Sequence, residues 1–99
     1  ARGGAAPAAS KESRRSAADR REQLRPLKQR IAELEKDMTR LQRELAQLDA
    51  RLSDPALYTG ESPGDAQTLL RTQASLRQQL ASIEEEWLAR SEELEAASG

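Results

Sequence analysis

The side chains with the most obvious chemistry in this chain are cations. Arg14, Arg15, Arg20, Arg21, Arg25, Lys28, Arg30, Lys36, Arg40 and Arg43 follow one another through its first half. Guanidinium and ammonium groups at that density suit a phosphate backbone, held by charge and released by salt. No aromatic side chain interleaves them, so stacking on bases is not expected. The competing reading is a solvated stretch whose charge keeps the polypeptide dispersed. The carboxylates offer less. Glu84, Glu85 and Glu86 are consecutive, and on a helix they point in different directions, which makes a solvated acidic face and not a general-acid pair. With neither Cys nor His in 99 residues, thiolate zinc sites, disulfides, Cys nucleophiles and Ser-His-Asp triads are excluded. GESPGD, residues 60–65, has two glycines but lacks the Lys-Ser/Thr of a nucleotide-phosphate cradle. The stretch is read as non-catalytic, with no catalytic residue, cofactor site or metal site of its own.

The elements that must carry these cations are written into the composition. A third of the residues are charged, one is Trp, one is Tyr and none is Phe. Long stretches of Ala, Leu, Glu, Gln and Arg suit extended helices or coiled coils, and 99 residues make one small domain. The net charge of −1 conceals an asymmetry: residues 1–30 hold nine Lys/Arg against three Asp/Glu, and residues 53–99 hold three against nine. No apolar run approaches a bilayer span, and no signal-peptide pattern opens the chain. The first residue is Ala, so the reading takes the chain as a piece of a longer polypeptide, placed in the cytoplasm and away from membranes.

Apolar residues recur at Leu24, Leu27, Ile31, Leu34, Met38, Leu41, Leu45, Leu48 and Leu52, in steps of three and four without a miss. That is a heptad series over four repeats, the mark of a coiled-coil seam, and its helix would run about 43 Å. A looser series follows: Ala66, Leu69, Gln73, Leu76, Leu80, Ile83, Trp87, Arg90, Leu94 and Ala97, with Leu70 widening the stripe. Between them, Pro55 stops the first helix. Asp54-Pro55 caps a short turn carrying Leu57 and Tyr58, Gly60 ends that turn, and Ser62-Pro63-Gly64-Asp65 restarts a helix with a capping box. A connection this short makes the helices antiparallel neighbours. Folding about Gly60–Glu61 sets Leu52 against Leu69, Leu41 against Leu80, Leu34 against Trp87 and Leu24 against Ala97. Gln73 meets Leu48 and Arg90 meets Ile31, both polar tips reaching outward. Arg30 reaches Glu86 or Glu93, Asp49 reaches Arg77, and Tyr58 plugs the tip with its hydroxyl in water.

The expected fold is thus all-α, a two-helix antiparallel coiled-coil hairpin over 24–99 behind a flexible N-terminal linker. Residues 1–23 are the basic linker, partly helical; helix 1 covers about 24–53, the tip 54–62 and helix 2 about 63–96. Pro26 argues for a helix that starts near Leu24.

The leucine heptads ending in LSDPALYTG, residues 52–60, and the return helix with EEEWLARSEELE, residues 84–95, resemble the C-terminal coiled-coil domain of the ABC-F family, of the Uup type. These are cytoplasmic tandem ATP-binding-cassette proteins without membrane spans. The resemblance covers about Leu24 to Glu95, and a basic linker before the hairpin is also in the family's character. It implies an accessory domain of an ATPase that acts on nucleic acid or the ribosome, in translation or DNA maintenance. ATP would bind in cassettes outside this chain. A hairpin with an Asp/Asn-Pro tip also forms the tRNA-gripping arm of valyl-tRNA synthetases, which the late Trp and acidic return helix fit less well. Both resemblances imply nucleic acid, duplex DNA or ribosomal RNA, as the partner of the ten cations, with ribosome contact in view. A protein-interaction or spacer coiled coil, including a weak homodimer, is the alternative.

Overall fold

The computed structural model describes residues 2–59 and 64–98, with side chains over 11–59 and 65–98. It contains α1 (Arg2–Leu52), the short α2 (Ala56–Thr59) and α3 (Gly64–Ser98). The molecule is a rod of 89 × 16 × 16 Å, in which α1 packs along α3. The hairpin expected from the heptads is the observed architecture.

Cross-helix bonds place the register. Near the tip, the Gln73 amide donates to the Asp49 carboxylate. Further towards the root, Arg30 grips Glu86. Falling numbers on α1 meet rising numbers on α3, so the helices run antiparallel, in the register that sets Leu24 beside Ala97. The core is a single seam. Leu34 and Leu41 are fully buried, and Leu48 and Leu69 nearly so. Ile31, Met38, Leu45, Leu76, Leu80 and Ile83 are only half-buried, because two helices cannot enclose a residue from every side.

The two polar intruders behave differently. Gln73 lies at the edge of the seam, where its amide donates to Asp49; the expected Asp49–Arg77 ion pair is absent among the described residues. Arg90 donates to Glu93 at 3.0 Å, yet its Nε, like Trp87 Nε1, is buried without a hydrogen-bond partner. Such an orphan costs about 1–3 kcal/mol. Arg90→Leu, which fills the same layer with aliphatic carbon, is expected to raise the melting temperature by several degrees, since about 1 kcal/mol moves a domain of this size by 4–8 °C. Thermal denaturation followed by circular dichroism checks this.

The structure differs from expectation at the start of α1, which begins at Arg2 and not near Leu24. The described part of the expected linker, residues 2–23, is not a separate element but the first part of the same helix. Pro26 is exposed on the outward side. Its missing N–H strands only the Glu22 carbonyl, and a carbonyl on that side can turn to solvent. The Glu22–Arg25 ion pair at 2.8 Å spans the same turn. Half-buried Ala17 extends the seam one step upstream.

At the tip, α2 forms as expected. The Ala56 N–H donates to Asp54 Oδ1 at 3.0 Å, and the Tyr58 N–H donates to the Pro55 carbonyl at 3.1 Å. Leu57 is half-buried and α2 touches α3. Tyr58 is not the expected plug: its ring is 59% exposed, and its hydroxyl donates to the Leu52 carbonyl at 2.6 Å instead of lying in water. It satisfies one of the carbonyls that the end of α1 leaves unpaired. The roles assigned to Gly60 and to the Ser62-Pro63 cap fall outside the described residues. Asp65 stands in the first turn of α3, where a carboxylate favours the helix dipole.

Candidate nucleic-acid interface

All ten cations singled out in the sequence lie on α1 and all are exposed. The helix sorts them by phase. At about 100° per residue, Arg14, Arg21, Arg25, Lys28, Lys36 and Arg43 fall on one face, turned away from the leucine seam. Lys11 joins them. That face runs about 48 Å from Lys11 to Arg43 at 1.5 Å per residue. The positions interleaved with the cations are Ala18, Gln29, Ala32 and Thr39, together with the two acids Glu22 and Glu35. Two adjoining shallow grooves follow it: Arg21, Arg25, Lys28, Gln29 and Ala32 line one, and Ala32, Glu35, Lys36, Thr39, Arg40 and Arg43 line the next.

The other four candidates point elsewhere. Arg15 and Arg20 lie on other faces of α1. Arg30 donates to both Glu86 oxygens at 2.7 Å and to Glu33 at 3.4 Å, so its fork is used in holding α1 to α3. Arg40 is shared between Glu44 at 3.3 Å and Asp37 at 3.9 Å. On the helix face itself, Arg25 pairs with Glu22, an exposed i,i+3 contact that a phosphate can replace at little cost.

The Arg30–Glu86 pair leaves a titration signature. Hydrogen bonds from Arg30, helped by its charge and that of Arg90, hold the Glu86 carboxyl below the usual glutamate range, while Arg30 is pushed further up. Because the folded-state value is lowered, the stabilisation is complete above the ordinary glutamate value and fades as pH falls through the lowered one. Arg30→Ala is expected to return the Glu86 midpoint towards that of a free glutamate, as read by carboxyl-carbon NMR.

The root of the hairpin adds one feature. Ala17, Arg20, Arg21 and Leu24 border the same depression as Ala97 and Ser98. Upstream of this depression α1 continues and carries Lys11 and Arg14.

In the sequence Lys11 is legible only as part of the linker, and a count of charges does not show the shared face. The signal was present: the spacings between Lys11, Arg14, Arg21, Arg25, Lys28, Lys36 and Arg43 keep helical phase. Counting charges without their phase hides it.

A long antiparallel coiled-coil hairpin with a predominantly cationic outer face is the class of domain this geometry defines. The sequence model of the ABC transporter C-terminal domain family matches residues 24–96, and the chain belongs to that family. The match covers the hairpin, from the first leucine of the seam to near the end of α3. No curated protein and no solved structure matches the chain. None of the helices, among the described residues, is long and apolar enough to cross a membrane.

Proposed function

We propose that this hairpin is the nucleic-acid-binding accessory domain of a cytoplasmic ABC-F ATPase of the Uup type. It lies along phosphates of duplex DNA or ribosomal RNA with the outer face of α1. The observation that carries the reading is the excess of cations over carboxylates on that face, seven against Glu22 and Glu35, in a chain whose acids and bases otherwise nearly balance. A polyanion approaching this side meets a net positive charge over several helical turns. Alanine and threonine between the cations leave room for a backbone to approach, and no aromatic ring offers a stacking platform, which favours phosphate tracking over base reading.

The domain performs no chemistry in this scheme. ATP binds in the cassettes, and the hairpin holds the nucleic acid on which the ATPase acts, at the ribosome or on DNA. Fluorescence anisotropy of labelled duplex DNA and a ribosomal RNA hairpin, titrated side by side with the 99-residue chain at low salt, tests this. Binding to either, without sequence preference, is the expected result; binding to neither contradicts it.

A further inference from the structure

We propose that α3 carries a second, self-complementary seam on which a second copy of this chain docks. Leu70 and Leu88 are the large aliphatic side chains, among the described residues, that the hairpin leaves exposed, at 50% and 53%. Leu70 does not widen the core stripe, as its sequence position suggested. Eighteen residues, or five turns at 3.6 residues each, separate the two leucines, so they share one line of α3 about 27 Å apart. Between them on that line stand Ala74, Arg77, Ala81 and Glu84, all exposed. The steps from Leu70 to Leu88 are four, three, four, three, four: a heptad seam on the flank of the one that faces α1.

This series is symmetric in position about residue 79. Laid antiparallel on an identical helix, Leu70 meets Leu88 of the second copy, and Leu88 meets Leu70. Arg77 then sits across from Ala81 and one turn from Glu84 of the second copy. The two-fold axis makes that ion pair twice. The alanines let the backbones come close. In a parallel arrangement Arg77 would face Arg77 and Glu84 would face Glu84. Charge complementarity therefore selects an antiparallel copy of this chain as the occupant. Two leucines and two alanines fall far short of the roughly 1,600 Å² of a standard interface, so the dimer is weak and concentration-dependent. The inference is independent of the nucleic-acid reading, because none of these residues belongs to the cationic face of α1.

Sedimentation equilibrium of the 99-residue chain tests it, with circular dichroism confirming that each variant remains helical. A monomer–dimer shift is expected below about 1 mM, a range typical of weak contacts. Leu88→Lys should abolish the shift, as should Arg77→Glu. Arg77→Glu combined with Glu84→Arg should restore it. The chain has no cysteine of its own. Leu70→Cys and Leu88→Cys chains should therefore cross-link when mixed and not when oxidised separately. A wild-type chain that stays monomeric throughout would overturn the proposal, whether the face is bare or serves another protein. Cross-linking of Leu70→Cys with itself would overturn it as well.

Discussion

Replacing Leu41 by alanine is expected to lower the unfolding free energy of the hairpin by about 2–5 kcal/mol, the range for truncating a buried leucine. Leu41 is fully buried, in the middle of the seam between α1 and α3. Nothing behind it can collapse into the void, because each helix offers one face and solvent lies beyond. At 4–8 °C per kcal/mol, the melting temperature should fall by roughly 8–40 °C. Leu34→Ala should behave alike, since Leu34 is equally buried. Arg43→Ala, two residues along and on the outer face, should stay within about 0.5 kcal/mol of the parent. Equal losses for Leu41→Ala and Arg43→Ala in thermal denaturation would mean that the seam is not where the structure places it.

The second large effect is on binding. If about five of the seven face cations contact phosphates of a DNA duplex, log affinity should fall against log salt with a slope of about −4 to −5. Between 50 and 200 mM salt that is a loss of roughly 500-fold, with the same loss for duplexes of unrelated sequence. Each cation replaced by alanine on the face should flatten the slope by about 1. Anisotropy titrations at four or five salt concentrations measure the slope directly. A slope near zero, with binding retained, would show that the contact is not with phosphates.

The long-range plan of the molecule was legible because it depends on one repeating pattern. Leucines in steps of three and four demand a partner seam, Pro55 forces the reversal, and the two facts together determine which layers meet. The Arg30–Glu86 and Asp49–Gln73 contacts agree with that pairing. What was not legible depended on where solvent lies. The cost of Pro26 is set by whether the Glu22 carbonyl can turn to water, and a local rule about proline does not contain that. The partner of Gln73 and the acceptor of the Tyr58 hydroxyl are single hydrogen bonds chosen among several within reach. The cationic face required one more step, from counting the arginines to asking which of them share a direction once α1 is known to run unbroken from Arg2 to Leu52.

The outer face of α1 as the phosphate-binding surface is tested most directly by two triple reversals of equal charge. One variant carries Arg21→Glu, Lys28→Glu and Lys36→Glu on the face; the other carries Arg15→Glu, Arg20→Glu and Arg40→Glu off it. Measured by anisotropy against the same duplex at one low salt concentration, the first should lose binding by at least 100-fold while the second keeps most of it. Equal losses from the two variants would mean that only bulk charge matters, and the assignment of this face would be wrong.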